Sequence, residues 1–123
     1  MKTYLFLLSI LTVLVIYACK SSSDGMMCTM EFRTVTITVN GSDLDSYFTI
    51  RQLTGDTIRI VRVNISGDKV YPVLDDSFQH LLQDQTENFR FQGMINGNVV
   101  VDEPFVIKAD KCHIQYVSGR TVI

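Results

Sequence analysis

Glu87-Asn88-Phe89-Arg90-Phe91-Gln92-Gly93-Met94-Ile95-Asn96-Gly97-Asn98-Val99-Val100-Val101 is the stretch that decides the fold. Phe89 and Phe91 alternate with Arg90 and Gln92, the two-residue period of a half-buried strand. Asn96-Gly97 follows, and both residues tolerate positive φ, which makes this pair the strongest short-range hairpin signal in the chain. Val99-Val100-Val101 returns as the second strand. The unit predicted here is an antiparallel hairpin, and the rest of the chain is read by asking what pairs with it.

Working outward toward the N-terminus, strands recur between turn clusters. Val35, Ile37 and Val39 alternate with Thr34, Thr36 and Thr38, and Phe32 lies out of phase with them, which predicts a bulge near Arg33. Asn40–Asp43 is a turn, and 47–53 is a strand with Phe48 and Ile50 facing inward. Thr54-Gly55-Asp56 turns into a strand over 57–64. Ser66-Gly67-Asp68 turns into one over 69–74, where Pro72 implies a sheet edge or a bulge. Phe78, Leu81 and Leu82 have helical spacing behind Ser77 as a cap. Toward the C-terminus, Pro104 breaks or edges the run before Phe105-Val106-Ile107. A turn at 108–111 leads to a strand over 112–117 closed by Ser118-Gly119, and Thr121-Val122-Ile123 extends it.

About seven strands with regular turns and one short helix predict an all-β fold, a seven-stranded antiparallel β-sandwich. Its expected core is Phe32, Val35, Ile37, Val39, Phe48, Ile50, Phe89, Phe91, Val106, Ile114 and Val117.

The first eighteen residues form a different text. Lys2 precedes an apolar run from Leu5 to Ile16 that is interrupted only by Ser9 and Thr12, and Ala18 ends it. These are the parts of an export signal, too short for a membrane span of about 20 apolar residues. Ile16 at −3, Ala18 at −1 and Cys19 at +1 resemble the lipobox of bacterial lipoproteins, with Tyr17 a departure at −2. The resemblance implies a cleaved signal peptide (1–18), a lipid on Cys19, a flexible tether (19–27) and a folded domain (28–123). It places the protein in the cell envelope, tethered to the outer membrane on its periplasmic or cell-surface face. Ser21-Ser22-Ser23-Asp24 resembles the leader that some such lipoproteins use for surface export. The alternative is a plain secreted protein, which the bulky Ile16 disfavours.

Two further stretches carry a resemblance. Phe105–Ile114, closing with Val117-Ser118-Gly119, is similar to the C-terminal signature of a group of small bacterial lipoproteins. Gly67, Tyr71 and Val73 resemble the Gly-x-Tyr-x-φ stretch of transthyretin-like, or carboxypeptidase regulatory-like, β-sandwich domains, and Val35–Gly41 is compatible with that fold's first strand and turn. Asp43-Leu44-Asp45 stands where those domains carry Pro-Val-x-Gly-Ala. The resemblance implies a non-catalytic packing or binding module.

Exporting the chain exposes Cys28 and Cys112 to an oxidising compartment, and an even count there favours a disulfide over two buried free thiols. Thirteen acidic against eleven basic residues give a formal charge of −2, or −3 once Lys2 leaves with the leader. Basic residues are scattered singly, which argues against nucleic acid. No Cys/His spacing suggests zinc, and no cofactor motif is present.

Candidate site residues are few. Asp75, Asp76, Asp84 and Glu87 offer oxygens to a Ca²⁺ ion, against the alternative that they cap turns in a solvated loop. Asp102-Glu103 reads as an exposed turn more readily than as an acid–base pair. Ser77, His80 and Asp84 share a helical face without the buried base a triad needs, and His113 reads as a strand histidine. Tyr47, Tyr71 and Tyr116 would line a ligand face if two shared a sheet surface. Two functions compete: a non-enzymatic, membrane-tethered accessory or ligand- or protein-binding module that would partner an envelope protein through an edge strand, and a small hydrolase or Ca-dependent enzyme using the acidic loop 75–87.

Overall fold

A computed structural model describes residues 25–61 and 68–123. The expected leader (1–18), Cys19, most of the expected tether and the 62–67 segment, including Gly67, lie outside the described residues. The described chain is almost all β: β1 (Thr34–Thr38), β2 (Ser46–Arg51), β3 (Thr57–Ile58), β4 (Val70–Asp75), β5 (Thr86–Ile95), β6 (Asn98–Ala109) and β7 (Ile114–Gly119). A 3-10 turn at Asp76–Phe78 and a helical turn, α1 (Gln79–Leu82), sit between β4 and β5. No helix among the described residues is long and apolar enough to cross a membrane.

The strands form two antiparallel sheets, β1-β4 and β3-β2-β5-β6-β7, as an all-β sandwich requires. The β5–β6 hairpin is the spine of the larger sheet, and Asn96 and Gly97 take φ of 51° and 75° at its turn, as their identities predict. Its register sets the phase of everything beside it, because residues directly opposite in a ladder share a face. Phe89 and Phe91 are fully buried. They face Arg51 and Thr49 on β2, and Phe89 faces Phe105 on β6.

That register corrects several expected core positions. On β2 the inward residues are Tyr47, Thr49 and Arg51, while Phe48 and Ile50 turn toward solvent opposite Gln92 and Arg90. The hydrophobic alternation pointed to the other phase, but the three polar-tipped side chains all find partners inside. Thr49, for instance, donates its hydroxyl to the Val73 carbonyl at 2.6 Å and ties the two sheets together. The Arg59 guanidinium covers the outward Phe48 ring at 5.2 Å. On β6, Phe105 and Ile107 point inward, so Val106 between them does not. Phe32 and Val117 are exposed. Phe32 precedes the first strand, and Val117 is the unpaired residue where β7 shifts register against Val106/Ile107.

Other boundaries move for similar reasons. The irregularity expected near Arg33 lies at Val35/Thr36, opposite Pro72, so Pro72 sits both on an edge strand and beside a bulge. β6 runs unbroken through Pro104, whose missing N–H costs nothing because β7 pairs only with the half beyond it. Thr121–Ile123 does not extend β7. It crosses to the small sheet and runs parallel to β1, with Thr38 N–H donating to the Thr121 carbonyl at 2.7 Å. Gly119 makes the crossing possible: its φ is +139°, and a Cβ there would lie 2.6 Å from the Phe105 ring.

Candidate functional site

Residues 25–33 carry no regular element and are exposed up to Arg33, yet this arm is pinned at three points. Cys28 and Cys112 sit at disulfide distance, their Cα atoms 5.4 Å apart. The Thr29 hydroxyl meets His113 Nε2 at 2.9 Å, and Arg33 N–H donates to Asp76 Oδ2 at 2.8 Å. These pins tie the segment leading into β1 to both the 3-10 turn and the start of β7.

Asp76 is the hub. Its Oδ1 accepts Ile114 N–H at 2.8 Å, and its Oδ2 meets His113 Nδ1 at 2.8 Å as well as Arg33 N–H. Burial opposes the charged form of this carboxyl. The two backbone N–H groups and His113 outweigh it and hold the pKa below the ordinary aspartate value. With Asp76 ionised and able only to accept, Nδ1 of His113 donates to it. Asp110 braces the same corner from outside. His113 N–H and Cys112 N–H donate to its Oδ1 at 2.7 and 2.8 Å, and these bonds hold its pKa down as well.

The expected metal ligands are separated. Asp75 accepts Ser77 N–H at 2.9 Å, so Asp75, not Ser77, caps the turn. Glu87 is buried in a two-pronged pair with Arg51, both contacts at 2.7 Å, and Arg51 also donates to the Leu81 carbonyl. Asp84 is exposed, at positive φ after α1. Among the described residues no three His, Cys, Asp or Glu side chains gather as a metal would require. Ser77, His80 and Asp84 are all exposed. Asp102 pairs with Arg90, whose hydrogen bond holds the Asp102 pKa down, and Glu103 pairs with Arg120 at 2.9 Å.

The tyrosines divide too. Tyr47 and Tyr71 meet edge to face at 5.2 Å inside the sandwich, and Tyr47 stacks on Phe91 at 6.0 Å. Their hydroxyls serve the backbone, Tyr47 donating to the Ile60 carbonyl and Tyr71 accepting Leu44 N–H. Tyr116 alone stays outside, on β7.

Beside the pinned arm, β1 and β7 splay apart around an open groove of about 620 Å³ lined by Phe32, Thr34, Thr36, Gln115, Tyr116 and Thr121 among others. The sequence reading did not find this groove or the Thr29–His113–Asp76 chain. One signal for the chain was available: once Cys28 and Cys112 bond, the residues that follow them, Thr29 and His113, become neighbours. No protein-family model, curated protein or solved structure matches this chain.

Proposed function

We propose that this chain is a non-enzymatic, lipid-anchored module of the cell envelope. Its sandwich, of the transthyretin-like or regulatory-like kind, binds a protein partner close to the membrane. The observation that supports the non-enzymatic half is how its acidic side chains are engaged: Asp75, Asp76, Glu87, Asp102, Glu103 and Asp110 each serve a cap, a backbone N–H or a basic partner. Carboxylates committed in this way stabilise a scaffold and leave no pair free for acid–base work. The open groove between β1 and β7 is the surface left for a partner.

The anchor rests on Ile16-Tyr17-Ala18-Cys19. From Cys19 to Cys28 an extended tether reaches at most about 30 Å at roughly 3.3 Å per residue. A flexible one averages about 15–18 Å. The sandwich therefore works near the bilayer, on the periplasmic or cell-surface face of the outer membrane. Replacing Cys19 with Ser should move the protein from the membrane to the soluble fraction and abolish labelling by fatty acid. A variant that stays membrane-bound, together with a wild type that takes up no label, overturns the anchor.

One observation favours the hydrolase reading: Thr29, His113 and Asp76 stand in the order and spacing of a nucleophile, a base and an orienting carboxylate. The module reading treats them as the fastening of the arm, since Thr29 is a hindered secondary alcohol next to the Cys28 bridge. Purified protein should leave p-nitrophenyl acetate unhydrolysed. Turnover that Thr29→Ala abolishes would replace the module with the enzyme.

A further inference from the structure

We infer that the groove between β1 and β7 is a strand-acceptor site. It takes one extended polypeptide segment of a partner protein, paired by its backbone along the free edge of β7. This rests on the binding-module reading and names the chemistry of its partner.

The edges of the two sheets are not alike. An exposed edge offers unpaired N–H and C=O groups, and proteins usually blunt it by shortness, proline or charge. β3, at one end of the large sheet, is two residues long. β4 carries Pro72 at its middle. The half of β6 that β7 leaves uncovered holds Asp102, Glu103 and Pro104. β7 has none of these devices along its middle: Ile114-Gln115-Tyr116-Val117-Ser118-Gly119 is uncharged and proline-free and ends the large sheet with no strand beyond it among the described residues. Only its ends are engaged, Ile114 N–H by Asp76 Oδ1 and the Gly119 carbonyl by the Tyr116 hydroxyl.

The facing wall is also an edge. β1 pairs with β4 on one side, and on the other only its end at Thr38 meets the C-terminal residues. The extra residue of one register irregularity, Val117, lies on β7 beside the groove, and that of the other, Val73, lies on β4, the strand paired with β1. Bulges of this kind bend strands and cluster next to binding sites.

Size and chemistry select the occupant. A strand residue within a sheet fills roughly 160 Å³, from a spacing of about 4.8 Å, a thickness of about 10 Å and a rise of about 3.3 Å. The groove of about 620 Å³ therefore holds about four residues. Phe32 and Tyr116, exposed by 64% and 48%, stand at the groove and call for β-branched or aromatic side chains at alternate positions of the incoming segment. A second copy of the sandwich fits less well. Its own β7 carries a sheet on one side and would meet Glu31-Phe32-Arg33 of the arm, which line the groove here.

The test uses the full chain in detergent and an acetylated, amidated peptide of three Thr-Val repeats. Its control is the same peptide with alternate amides N-methylated. With peptide at ten times its dissociation constant, amide exchange within Gln115–Ser118 should slow about tenfold, and the methylated control should have no effect. Tyr116→Lys, a charge placed on the edge, should weaken binding at least fivefold with exchange elsewhere unchanged. No protection, protection confined to another edge, or protection that rises with protein concentration without peptide each overturns the proposal. The last of these names a second copy as the occupant. None of these outcomes depends on the Cys19→Ser fractionation, so loss of the groove and loss of the anchor are separate results.

Discussion

Two buried hydrogen-bonded pairs hold this domain, and they work differently. Arg51–Glu87 lies within the large sheet. Its partners come from adjacent strands, β2 and β5, and Arg51 reaches on to the Leu81 carbonyl of α1. Asp76–His113 lies at the rim, and its partners come from segments far apart in the chain that meet only where the arm is fastened. The first pair replaces apolar packing inside a regular ladder. The second stands where there is no ladder, so side chains supply the hydrogen bonds that strands would otherwise make. A sandwich of this size thus uses charge for packing in one place and for closure in another.

The largest expected effect comes from the covalent part of the closure. Replacing Cys28 and Cys112 together with Ser releases a loop of roughly 85 residues and should cost about 4–5 kcal/mol in the chain-entropy description. Urea unfolding should show it, and adding reductant to the wild type should reproduce it. If the arm's polar contacts alone suffice, the loss will be under about 1 kcal/mol and the comparison fails.

Breaking the inner pair ranks second. Glu87→Ala leaves the Arg51 guanidinium, only 13% exposed, without its carboxylate, and should cost about 3 kcal/mol. The double variant Arg51→Met with Glu87→Leu should recover most of that loss, because an apolar pair of similar volume packs the same space. Failure to recover would mean that the link to Leu81, not the packing, is what the pair contributes.

The smallest effect carries the pH signature. Asp76→Asn loses an acceptor for one backbone N–H and should cost about 2 kcal/mol at neutral pH. The folded pKa of Asp76 is below its unfolded value. Its stabilisation is therefore complete above about pH 4 and is lost as pH falls through the folded pKa. Acid titration of stability should show the wild type converging on Asp76→Asn below about pH 4. Curves that stay parallel would show that Asp76 acts by shape and not by charge.

Much of this protein was decided by local sequence alone. Strand alternation, Asn96-Gly97 and the turn clusters determined an all-β chain, since side-chain period and positive φ are properties of neighbouring residues. Pro72 marked an edge for the same reason, because a missing N–H excludes a ladder position wherever the strand ends up. Tertiary structure decided the rest. The phase of β2 depended on facing Phe89 and Phe91, and apolar Phe48 and Ile50 misled because polar-tipped Tyr47, Thr49 and Arg51 could be satisfied inside. The Thr29–His113–Asp76 chain and the groove of β1 and β7 join residues that only a closed sandwich brings together. Periodicity tells which residues share a face; only the pairing of distant strands tells what that face meets.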